Sequence, residues 1–210
     1  STLWPAGQWT ADWLALRLAN APPAAGDYPL TMRLYNVTTG ETLLTRRVGV
    51  LNWDGAAWQP RLHEPSFALP NGLTPMEATF GWAEEPSIAL PGYRLENKPD
   101  ALQLTLYWEA LDGPRHEYTR FVHLLDANGA IAAQVDGAPA GNSYPTSQWT
   151  TGEIVADTVT FDLTALPPGE YTLATGFYWQ DENLTRVTAL VPDGPLPDGR
   201  AILPESIVIQ

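Results

Sequence analysis

Apolar residues occupy every second position along much of this chain, and turn-forming pairs break the runs at short intervals. Leu102, Leu104, Leu106 and Trp108 share one face of an extended segment, with Gln103, Thr105 and Tyr107 on the other. Tyr171, Leu173, Thr175 and Phe177 repeat the pattern, as do Tyr28, Leu30, Met32 and Leu34, and so do Val155, Asp157, Val159, Phe161 and Leu163. An amphipathic helix needs apolar residues three and four apart, and no stretch of about ten residues keeps that period. The 20 prolines scattered between the runs each lack a backbone donor, which a helix interior does not tolerate. Asp126-Ala127-Asn128-Gly129, between 121–125 and 130–135, predicts a hairpin. Thr39-Gly40, Asp54-Gly55, Asn71-Gly72, Asp112-Gly113, Asp193-Gly194 and Asp198-Gly199 predict further turns. The expected fold is all-β, an antiparallel β-sandwich of the jelly-roll or immunoglobulin-like kind.

A second feature is an internal repeat. Gln8-Trp9-Thr10, Pro22-Pro23, Gly26-Asp27-Tyr28 and Tyr35 recur in order as Gln148-Trp149-Thr150, Pro167-Pro168, Gly169-Glu170-Tyr171 and Tyr178. A long β-rich stretch precedes the second copy and not the first. Residues 1–73 are therefore expected to form a partial N-terminal repeat packed on a complete sandwich at 74–210. A half sandwich leaves an apolar face that something else must cover.

Charge narrows the function classes. The net charge is −13, and of the 11 basic residues only Lys98 is a lysine. A nucleic-acid surface replaces counterions with clustered cations, so no nucleic-acid partner is expected. No apolar run approaches the roughly 18–20 residues that cross a bilayer, so this segment is expected to be soluble and not to insert in a membrane. No targeting signal is visible at Ser1, as in a piece of a longer protein. The absence of cysteine rules out disulfides, thiolate zinc sites and cysteine nucleophiles.

A longer string of residues carries a family resemblance. Leu90-Pro91-Gly92-Tyr93 precedes Leu102 to Trp108, then Tyr118-Thr119-Arg120-Phe121-Val122-His123-Leu124-Leu125-Asp126. Gln134-Val135-Asp136-Gly137-Ala138-Pro139, Gly152-Glu153-Ile154-Val155-Ala156-Asp157 and Gly176-Phe177-Tyr178 follow. Over residues 78–190 this resembles a β-sandwich module found, often in tandem, toward the C-termini of large bacterial membrane proteins. Many of those resemble family-39-type, dolichyl-phosphate-mannose-like glycosyltransferases. The resemblance implies an extracytoplasmic location and a parent protein whose other parts are candidate partners. It implies no activity for the module, because the membrane-embedded catalytic part has no counterpart here.

No Gly-x-Ser-x-Gly elbow, phosphate-binding loop or His-Glu-x-x-His motif occurs, so no catalytic residue, cofactor or enzymatic activity is expected. His63, His116 and His123 share no metal-ligand spacing, and Asp126 with Asn128, or Asp193 with Asp198, fit no dedicated calcium loop, so no metal site is expected. Gln134, Asp136, Trp149, Glu153 and Asp157 lie in the densest part of this string; Asp136-Gly137 and Gly152-Glu153 read best as turns whose carboxylates satisfy backbone N–H groups, and Trp149 as a core residue. The Glu84-Glu85 pair before Pro86 reads as a solvated loop. The remaining handle is aromatic. Trp53, Trp58, Trp82, Tyr144 and Trp179 fall near expected loops or strand ends, where a cluster would make a platform and a scatter would only shield sheet edges. The candidate ligand-binding residues are Trp82, Trp179, Tyr144, Gln134 and Asp136. In them a ring could stack on a pyranose while amide and carboxylate meet its hydroxyls. The expected function is a non-catalytic accessory or interaction module. A carbohydrate-binding module with a glycan partner is the alternative, and a glycoside hydrolase or calcium-binding domain is less favoured.

Overall fold

The computed structural model describes residues 24–62, 64–82, 85–112, 116–196 and 198–209. Trp9, the alternating run at 13–18 and His63 lie outside these residues, so the Trp9–Trp149 correspondence does too.

The chain is all-β, with thirteen described strands in three antiparallel sheets. In order they are β1 (Gly26–Tyr35), β2 (Thr42–Trp53), β3 (Trp58–Leu62), β4 (Thr74–Trp82), β5 (Glu85–Lys98), β6 (Ala101–Ala110) and β7 (Tyr118–Leu125). There follow β8 (Ile131–Gly137), β9 (Ile154–Asp162), β10 (Gly169–Trp179), β11 (Thr188–Val191), β12 (Gly194–Leu196) and β13 (Ala201–Ile209). The first sheet is β1-β2-β3, and the other two run β13-β10-β7-β8 and β12-β11-β4-β5-β6-β9. Among the described residues no helix is long and apolar enough to cross a membrane.

The four- and six-stranded sheets close over one core. Along β6 burial alternates strictly, and Leu102, Leu104, Leu106 and Trp108 are fully buried. They meet Val155, Val159 and Phe161 of the neighbouring β9 and, from the facing sheet, Val122, Leu124, Tyr171, Leu173 and Phe177. Phe80, Trp108 and Phe177 form an aromatic centre, with ring centroids 4.7–5.7 Å apart. Aromatic pairs at such separations contribute beyond their buried area.

The turns use the chemistry their sequences carry. Asp126 Oδ1 accepts the N–H groups of Asn128 and Ala130 at 2.8 and 2.9 Å, and Gly129 takes φ 77°, closing the β7–β8 hairpin. These backbone bonds hold the Asp126 carboxyl below its usual range. Asp54 Oδ1 does the same for Ala56 and Ala57 at the β2–β3 turn. There Trp53 and Trp58 pair directly across the strands, ring centroids 5.2 Å apart.

Tyr28 and Tyr171 make the same local hydrogen bond. Tyr28 and Tyr171 each stand two residues beyond the glycine that opens β1 and β10. Each hydroxyl donates back to the carbonyl four residues upstream at 2.7 Å, Tyr28 to Ala24 and Tyr171 to Pro167. Beyond this the surroundings differ. β10 has β13 on one side and β7 on the other, whereas β1 pairs with β2, whose far side carries β3.

Candidate functional site

The carboxylates singled out in the sequence go to the interior. Asp157 lies on the inward phase of β9 with no exposed surface, and Arg120 lies on the inward phase of β7, 2 % exposed. Arg120 Nε donates to Asp157 Oδ2 at 2.8 Å, and Arg120 Nη1 reaches the Val135 carbonyl at 2.7 Å. The Trp108 indole donates to Asp157 Oδ2 at 3.3 Å, and the Ala140 N–H donates to Oδ1 at 2.9 Å. One carboxylate thus joins the two sheets and anchors a tight turn at Pro139–Asn142, in which Ala140, Gly141 and Asn142 take positive φ. Left-handed geometry in a non-glycine residue costs about 1–2 kcal/mol, and the Asp157 bond holds Ala140 there.

Glu153 is 1 % exposed. It accepts the Tyr144 hydroxyl at 3.0 Å and the Thr150 N–H at 2.9 Å. Burial and the Glu153 charge push the Tyr144 phenol well above its usual range, so it stays a donor. Trp149 is fully buried, its indole bonded to the Tyr144 carbonyl at 3.2 Å. Tyr144 itself is 3 % exposed and carries the Arg47 guanidinium of β2 over its ring at 5.2 Å. Arg47 also donates to the Ser143 carbonyl at 2.9 Å, and Ile154 N–H donates to the Ser66 carbonyl at 2.6 Å. Tyr144 therefore serves the contact between the first sheet and the sandwich and presents no ring face to solvent.

Gln134 and Asp136 are exposed on β8, on the outer face of the four-stranded sheet. Asp136 sits within the strand and not in a turn. Its carboxylate meets the Tyr178 hydroxyl at 3.4 Å and His123 Nε2 at 3.9 Å. His123 packs against Phe121 with centroids 4.6 Å apart, and the Arg186 guanidinium covers Phe121 at 4.5 Å.

Trp82 and Trp179 come together at another place. Trp82 ends β4 and Trp179 ends β10, so the two close one end of the sandwich from opposite sheets. Their rings meet edge to face, 6.0 Å apart at 72°. His116 packs on Trp179 at 5.2 Å and 40°, and lies 6.0 Å from the ring of Tyr118. Beside them opens a cavity of about 210 Å³ lined by Trp82, Glu85, Pro86, Ser87, Asp112, His116 and Tyr118. Glu85 opens β5, paired with Trp82, and is not part of a loop. Trp179, packed against Trp82 and His116, is 42 % exposed.

Neither a family model nor a curated relative matches the chain. The five candidate residues thus fall in three places: Trp82 with Trp179, Gln134 with Asp136, and Tyr144 alone. Reading the sequence did not bring His116 or Tyr118 into a site, nor did it pair Arg120 with Asp157. A signal for that pair was present. Both residues fall in phase with buried apolar neighbours on their strands, and a buried charge requires a counter-charge. Among the described residues no group of three or more His, Asp and Glu side chains is placed to hold a metal ion.

Proposed function

We propose that this chain is a non-catalytic interaction module that engages its partner through the end of the sandwich where Trp82, Trp179, His116 and Tyr118 meet. The observation that carries the reading is a division of labour. Asp157 and Glu153 are buried and bonded to groups of the fold, whereas Trp82, His116 and Tyr118 line an open cavity together with Glu85 and Asp112. Mixed aromatic and polar lining suits ligand recognition. The resemblance over residues 78–190 supports placing the module outside the cytoplasm, within a larger bacterial membrane or surface protein. The repeat, supported by the shared hydrogen bond of Tyr28 and Tyr171, makes residues 1–73 a related partial unit. The test of the non-enzyme reading is a panel of glycosides assayed for hydrolysis. No turnover is expected, and turnover abolished by changing one Asp or Glu would contradict it.

Carbohydrate recognition is the second reading, favoured by the exposed Trp179 ring with carboxylates nearby to accept sugar hydroxyls. A glycan array, read beside tryptophan fluorescence, checks it. A response to a defined sugar that disappears in Trp179→Ala supports it, and silence across the array removes it.

A further inference from the structure

Resting on the binding role proposed for the Trp82–Trp179 end, we infer that its cavity is built for a soft organic cation, of the quaternary or methylated ammonium class. Size points first to a small group. Ligand pockets for drug-sized molecules run to about 300–1,000 Å³, and this one is about 210 Å³. A headgroup fits it better than an extended chain.

Shape narrows the choice. The rings stand at 72° between Trp82 and Trp179, 40° between His116 and Trp179, and 55° between His116 and Tyr118. Of these rings Trp82, His116 and Tyr118 line the cavity, and Trp179 packs against Trp82 and His116, so the aromatic lining lies in different planes and not on one flat floor. A pyranose gains most from a single flat face, whereas a roughly spherical methylated ammonium touches several walls at once.

Charge among the described lining residues favours a cation. Glu85 and Asp112 both line the cavity, and no arginine or lysine stands among its described lining residues. Aromatic faces carry the negative lobe of their quadrupole, so rings and carboxylates attract the same sign of ligand. The net charge of −13 adds a long-range field in the same direction. Metal ions fit less well, because calcium and magnesium need many oxygen ligands. Two carboxylates beside the rings of Trp82, His116 and Tyr118 do not supply them. A bare ammonium is strongly hydrated and would give up that water to apolar walls. Methylation lowers this cost while keeping the charge.

Calorimetric titration separates the alternatives. Choline is compared with 3,3-dimethylbutan-1-ol, its neutral isostere of the same shape, and with glucose. Choline is expected to bind about tenfold more tightly than the isostere, the size of a desolvated cation–π contribution. Glu85→Gln and Trp179→Leu, both at exposed positions, are expected to weaken choline about threefold or more with an unchanged circular dichroism spectrum. Equal binding of choline and isostere would overturn the cation assignment and leave the binding role standing. Glucose bound in preference to choline would do the same. Choline binding untouched by both variants would overturn the location. Silence to all three probes would overturn the cation assignment, while the interaction-module reading would still answer to the turnover assay.

Discussion

Asp157 and Arg120 each stand where an apolar side chain would ordinarily point, and the sandwich accepts them because they arrive together. Removing one member of such a pair strands the other charge in the core, at a cost of about 3–5 kcal/mol. Asp157→Asn is therefore expected to lose about that much in a urea denaturation series. Replacing both, as Arg120→Met with Asp157→Leu, should recover only part of the loss. The Ala140 N–H and the Trp108 indole also depend on this carboxylate. Each orphaned donor would still cost about 1–3 kcal/mol. Full recovery in the double variant would show that the pair interacts only with itself. His123 supplies a second expectation. Burial holds its imidazole below the ordinary 6.5, with Asp136 pulling it up and Arg186 and Arg200 pushing it down. Above pH 6.5 the ring is neutral in both folded and unfolded chains, and this contribution is complete. As pH falls from there to the folded value, the unfolded chain takes up the proton first and stability is lost. The wild type should therefore lose more stability across that window than His123→Gln, and identical pH profiles would contradict the account.

At the scale of elements, β1 and β10 share the backward tyrosine hydrogen bond, and its loss can be measured in both. Tyr171→Phe and Tyr28→Phe each remove one bond with little change of shape, so each is expected to cost about 0.5–1.5 kcal/mol. If the two strands play related roles, the losses should be similar. A loss at Tyr171 with none at Tyr28 would argue that only the bond in the sandwich is structural. Much at this scale was legible in the sequence. The period of two put Leu102 to Trp108 on one buried face. Asp126-Ala127-Asn128-Gly129 specified its hairpin through a side chain that bonds its own turn. What was not legible depends on register between distant strands. Local spacing does not say that Arg120 of β7 will face Asp157 of β9. Nor does it say that the ends of β4 and β10 will bring Trp82 against Trp179. Tyr144 illustrates the same limit: a residue beside a turn reads as exposed until Arg47, from another sheet, is laid over it.

At the scale of the whole molecule, the described tryptophans divide by role. Trp108 and Trp149 are fully buried within the sandwich. Trp53 and Trp58 pair across β2 and β3 in the first sheet. Trp82 and Trp179 close one end of the sandwich beside an acidic cavity. The central claim is that recognition belongs to the last pair and to a cationic ligand. The most direct measurement is a nitrogen–proton NMR spectrum of the tryptophan indoles, nine in the chain, recorded as choline is added. The indole signals of Trp82 and Trp179 are expected to move together and saturate while those of Trp108 and Trp149 stay in place. Movement confined to Trp53 and Trp58, or no movement at Trp82 and Trp179, would contradict the account.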